Sequence, residues 1–152
     1  MIRSLTTGLA MSIALLTTSA LADDMIKITS PHSVSETIDR LEQAVTGAGA
    51  TVFARIDHAA GAAKVDAELR PTQVLIFGNP KIGTPAMQAA QTAGLDLPLR
   101  VLAYENEAGE TVVAYHAPAA MADAHGIDTT APFIQKMAGA LNKLTAKASA
   151  AE

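Results

Sequence analysis

Apolar residues recur along this chain with two alternating periods, and that alternation restricts it to helices layered on a sheet. Val34, Ile38, Leu41, Val45 and Ala48 follow at steps of four and three, which places them on one stripe of a helix. Ser33 and Glu36 precede that stripe at the spacing of a capping box. Gly47 and Gly49 stop it. The period then changes to two. Over residues 51–57, Val52, Ala54 and Ile56 face one way, and Phe53, Arg55 and Asp57 face the other.

The same switch repeats down the chain. Residues 25–29 predict a short strand closed by Ser30-Pro31. Residues 59–69 are Ala-rich and predict a short helix, broken at Arg70-Pro71. Val74, Leu75, Ile76 and Phe77 form a continuous apolar run, the pattern of a strand covered on both faces. Gly78-Asn79-Pro80 ends it, and Thr84-Pro85 predicts the cap and first position of a helix running to about Ala93. Leu99, Val101 and Ala103 share one face of a further strand, with Arg100, Leu102 and Tyr104 on the other. Residues 105–110, with Gly109, read as a hairpin turn, and 111–116 as the returning strand. A helical turn at 119–125 closes at Gly126, and a last helix from about Thr130 buries Ile134, Met137, Leu141, Leu144 and Ala148. The order is therefore β-α-β-α-β-α-β-β-α-α. It predicts an α/β (α+β) sandwich with one mixed sheet of about five strands and helices packed on it. The linking segments are long enough for parallel crossovers, and an antiparallel, ferredoxin-like arrangement is equally open to this order.

The chain has 152 residues, 49% apolar and 17% charged, which is a globular rather than a disordered composition. Its length fits one domain. A net charge of −4 provides no basic footprint for nucleic acid or an anionic membrane. The absence of Cys excludes disulfides, thiolate metal sites and thiol catalysis.

Met1-Ile2-Arg3 is a short basic start, residues 5–21 are apolar or small, and Ala20-Leu21-Ala22 offers the small-x-small pattern of a signal peptidase site. Residues 1–22 are thus expected to be a secretory signal peptide. A membrane anchor fits less well, because Thr6, Thr7, Ser12, Thr17, Thr18 and Ser19 dilute the apolar run. The expected product is a single domain, 23–152, periplasmic or secreted, with no membrane association after cleavage.

Several segments are similar to one known family. They are Thr37-Ile38-Asp39-Arg40-Leu41, Phe53-Ala54-Arg55-Ile56-Asp57-His58 and Leu69-Arg70-Pro71-Thr72. Phe77-Gly78-Asn79-Pro80-Lys81 with Gly83-Thr84-Pro85, Asp96-Leu97-Pro98-Leu99-Arg100-Val101-Leu102 and Tyr115 complete the set. Over roughly residues 33–127 the chain resembles the bacterial and archaeal family called domain of unknown function 302. The resemblance implies a compact α/β domain that forms a homodimer. It brings no agreed activity and no catalytic residues.

Three chemical readings follow from the residues. The Gly78–Pro85 loop joins a strand to a helix start, where free N–H groups and Lys81 would suit a small anionic ligand, although the spacing is not that of a P-loop. If the strands ending at His58, Gly78 and Glu105 were parallel, His58, Asn79, Lys81 and Glu105 would converge on one sheet edge, as ligand sites of open parallel sheets do. There His58 or Glu105 could serve as a general base, making a small-molecule enzyme. His116 would lie at the opposite edge. Arg100 and Tyr104 could clamp a carboxylate from their shared face, or simply form a polar face covered by a helix or a partner. His32, His58, His116 and His125, with four Met beyond residue 22, raise a metal or haem carrier, although no His-x-x-x-His pair occurs. Met87, Met121 and Met137 read better as core filling. With no nucleophile in evident context, the leading expectation is an exported ligand-binding or interaction module, with no cofactor assigned and catalysis not expected. N-terminal sequencing of the exported protein should begin at Asp23, and retention of Met1 would overturn the export assignment.

Overall fold

The structure, a computed structural model, describes residues 24–151. The expected signal peptide at 1–22 lies outside the described residues. Eleven elements follow the expected order, with one short 3-10 turn added. They are β1 (Met25–Ser30), α1 (Val34–Gly47), β2 (Thr51–Asp57), α2 (His58–Ala63), β3 (Thr72–Gly78), α3 (Pro80–Ala89), the 3-10 turn Gln91–Leu95, β4 (Leu99–Glu105), β5 (Thr111–His116), α4 (Pro118–Ala124) and α5 (Pro132–Ala148).

The α/β sandwich with five strands is as expected, and the mixed sheet is corrected. The strands lie in the order β1-β5-β4-β3-β2, and every neighbouring pair is antiparallel. β2 to β5 form a meander. β1 joins it beside β5, so α1 must carry the chain across the whole sheet from one edge to the other. The linkers that could have made parallel crossovers instead return each strand beside its predecessor.

Helices cover one face. From the sheet, Leu75, Phe77, Val101, Ala103, Val113 and Tyr115 pack against Ile38, Leu41 and Val45 of α1 and Leu141 and Leu144 of α5. A second cluster extends this layer: Ala86 of α3 and Met121 and Ala122 of α4 meet Ile134 and Met137 of α5. The stripe expected for α5 is buried throughout. β3 differs from its expectation. Leu75 and Phe77 are buried, but Val74 and Ile76, on the opposite face, are only half-buried. That face carries Ile56, Leu102 and Tyr104 as well, and neither core cluster includes any of its residues.

Local signals explain the boundaries. Ser33 Oγ accepts the N–H of Glu36 and caps α1, but the Glu36 carboxylate turns to Nδ1 of His32, 3.1 Å away, instead of closing the box. Asp57 caps α2 by accepting the N–H of Ala60. Asn106 Oδ1 accepts the N–H groups of Ala108 and Glu110, and Gly109 takes a φ of +77°, which shapes the β4–β5 turn. Ahead of α5, the hydroxyl and N–H of Thr130 both donate to Asp128 and hold its carboxyl below the usual carboxylate range. The far end of α5 is tied to α1: Arg40 donates to the carbonyls of Ala148 and Ala150, and His32 Nε2 also meets Ala150 O.

Two expectations change for stated reasons. The helix after β3 starts at Pro80, not Pro85, because Asn79 is already a competent cap and Pro80 at the first position has no N–H to lose. Pro85 then lies inside the helix. In β2 the alternation breaks at Phe53. Val52 pairs with Phe77 and Ala54 with Ile76, so Phe53 is an extra residue in a β-bulge. Beyond it Ala54 and Ile56 lie on the open face, and Arg55 turns under α1 to reach Asp39, Ser35 and Gln73.

Removing central packing should therefore cost far more than removing this ion pair. Denaturant unfolding is expected to show about 2–5 kcal/mol lost for Leu75→Ala. For Arg55→Ala, whose partners are largely exposed, the expected loss is about 1 kcal/mol or less.

Candidate ligand-binding cleft

Antiparallel pairing divides the residues expected to converge. β2 and β4 run together, with β3 reversed between them. Asp57 and Tyr104, at the ends of β2 and β4, stand beside the start of β3. His58 and Glu105 therefore lie at one edge of the sheet. Asn79 and Lys81 follow the other end of β3, and a seven-residue strand spans roughly 20 Å. The four-residue site at one edge is thus not formed. His116 does lie at the end opposite His58, as its register with Met25 requires.

The other expected groups are engaged separately. Arg100 and Tyr104 share the open face but are four residues apart, about 13 Å along the strand, too far to clamp one carboxylate. Arg100 instead pairs with Asp96, at 3.2 Å. The anion site expected at the helix start is also closed. Pro80 has no N–H, that of Lys81 goes to Asn79 Oδ1 at 3.0 Å, and those of Ile82 and Gly83 go to Asn79 O. Among the described residues, no three His, Asp or Glu side chains gather in a metal-binding group.

The Asn79 end of the sheet holds a different feature, an apolar cleft of about 400 Å³. Phe77 and Leu99 come from the sheet. Pro80, Gly83, Thr84 and Met87 come from α3, at the spacing of a single helix face. Met137, Ala140 and Leu144 come from α5, Ala48 and Ala50 from the turn between α1 and β2, and Leu97 and Pro98 from the approach to β4. Phe53 completes the wall. The bulge that displaces it leaves its ring 57% exposed and within reach of Gly78, where an added Cβ would stand 3.6 Å from Cε2.

Small residues keep this cleft open. Gly83 sits inside a helix, where Ala would be more favourable by about 1 kcal/mol. A Cβ there would already touch Leu97 Cδ1 at 3.8 Å, so a longer side chain would enter the space. Ala140 of α5 also lines it. The Leu97 wall is anchored from behind by a polar cluster. His125 Nε2 donates to Asp96 Oδ2 at 2.7 Å, which leaves Nδ1 to pair with the Thr92 hydroxyl at 3.0 Å. Asp96 also takes the Arg100 contact. This chain of contacts ties the 3-10 turn to the end of α4, and none of its members lines the cleft.

Of His58, Asn79, Lys81, Glu105, Arg100 and Tyr104, Asn79 alone lines this cleft, together with Gly78, Pro80, Ile82, Gly83 and Thr84 from the Gly78–Pro85 segment expected to be a ligand loop. Phe53, Ala140 and Leu97 had no chemical motif to mark them.

Fold and cleft together define a small α/β domain with an apolar cleft at one end of its sheet. The chain belongs to the family Domain of unknown function DUF302, whose profile matches residues 26–144, extending the resemblance at both ends and into α5. The crystal structure of an uncharacterized conserved DUF302 protein from Bacillus stearothermophilus has the same fold, with a TM-score of 0.76 at 16% identity, over 84% of this chain and 99% of that one. Curated relatives include Fluoride-specific ion channel FluC 1 of Brucella suis, 41% identical over 109 residues, or 72% of this chain and 43% of that protein. Fluoride-specific ion channel FluC 2 of Brucella melitensis matches at 41% identity over 40% of its length. The chain thus spans about two-fifths of these relatives.

Proposed function

We propose that this protein is an exported binding module that holds a small, mainly apolar molecule in the cleft between α3, α5 and the Asn79 end of the sheet. The cleft itself carries the reading. Its volume falls within the roughly 300–1,000 Å³ typical of small-molecule sites, and its walls are nearly all apolar. The separation of His58 and Glu105 from Asn79 and Lys81 removes the geometric support for catalysis at a shared edge. Asp96, His125 and Thr92 have the order of a carboxylate–imidazole–hydroxyl relay, but they stand behind the cleft wall and serve as a tether. A neutral fluorescent probe such as N-phenylnaphthylamine should bind the purified protein with enhanced emission. Gly83→Leu and Ala140→Phe should abolish that signal, and His58→Ala and Glu105→Ala should leave it intact. No binding by the unmodified protein, or full binding by both cleft-filling variants, would overturn the reading.

A second reading rests on the Brucella relatives, in which the matched region belongs to longer chains named as fluoride channels. Fluoride conduction is not carried over to this chain, because the shared part is under half of those proteins. Among the described residues no helix is long and apolar enough to cross a membrane. In this reading the module acts beside a separate membrane protein that exports fluoride. Deleting its gene should then slow growth in fluoride-containing medium, and unchanged growth would remove the idea.

A further inference from the structure

Resting on the cleft as a binding site, we infer that its ligand is an uncharged molecule with an apolar body and one carbonyl-type oxygen, which accepts a hydrogen bond from Nδ2 of Asn79. Charge comes first. Among the described residues no charged side chain lines the cleft. A carboxylate or ammonium buried there without a partner would carry a large desolvation penalty. Lys81 is adjacent in the chain but exposed and outside the lining. The α3 N-terminus offers no compensation, because the N–H groups of Lys81, Ile82 and Gly83 are already bonded to Asn79.

The cap also fixes the chemistry of the Asn79 amide. The atom that accepts the Lys81 N–H must be the oxygen, so the remaining atom is the NH₂ group, which has two donors and no acceptor capacity. Among the described residues Nδ2 has no hydrogen-bond partner, and Asn79 is half-buried in the cleft wall. The ligand group that completes it is an acceptor: a ketone, ester or amide oxygen. Thr84, the other polar residue of the lining, is exposed to solvent. The rest of the lining is apolar apart from backbone, which assigns the remainder of the ligand to hydrocarbon.

Competition against N-phenylnaphthylamine tests this with four ten-carbon compounds: a ketone, an alkane, a carboxylate and a primary amine. At neutral pH the ketone should displace the probe from the unmodified protein at about one-fifth the concentration it needs with Asn79→Ser, the ratio expected of one neutral hydrogen bond. The carboxylate and amine should be the weakest. Asn79→Asp keeps a capping oxygen and removes the donor, so it should weaken displacement by the ketone to a similar degree and leave displacement by the alkane unchanged. Ketone displacement that is unchanged by both substitutions overturns the inference while leaving the cleft as the site. So does tightest binding by the carboxylate, or an equal loss for ketone and alkane in both variants. Failure of the probe to bind, or its retention by Ala140→Phe, overturns the cleft itself.

Discussion

Antiparallel pairing of β3 with both its neighbours governs where every candidate side chain lies. Leu75 and Phe77 stand at the centre of the buried face, and the strands on either side run opposite to β3. The end of β3 therefore meets the starts of β2 and β4, not their ends. That single reversal sends His58 and Glu105 to one edge and Asn79 to the other. It also brings Gly78, Pro98 and the bulged Phe53 together, since Thr51 pairs with Gly78 and Leu99 with Phe77.

The cleft follows from three local departures from regularity at that edge. The bulge in β2 supplies Phe53 as a wall. The early cap at Asn79 starts α3 directly at the strand end, so its first turn faces α5 across the opening. Gly83 and Ala140 then withhold the side chains that would fill it. Each departure has a cost in a regular element: an unpaired strand residue, a proline inside a helix, and a helical glycine. All three lie around the same apolar space.

Much of the architecture was legible in the residues. The stripes of α1 and α5 were readable because each buries a single face, which imposes steps of three and four on Val34 to Val45 and Ile134 to Ala148. The β4–β5 hairpin was readable from Gly109. The run from Val74 to Phe77 misled, because an apolar residue on an open sheet face looks the same as one beneath a helix. The start of α3 misled because two cap-and-proline pairs, Asn79-Pro80 and Thr84-Pro85, stand five residues apart and either could begin a helix. The bulge was invisible, since alternating positions do not reveal an extra residue until the partner strand is known.

Element order and family were properties of the chain, because periodicity and turn chemistry act over a few residues at a time. Strand direction, the division of candidate groups between two edges and the existence of the cleft came from packing. They depend on contacts between residues far apart along the chain, such as Phe53 beside Gly78 and Gly83 facing Leu97. No local pattern encodes the distance between such groups. That distance exists only once the sheet has chosen its pairing.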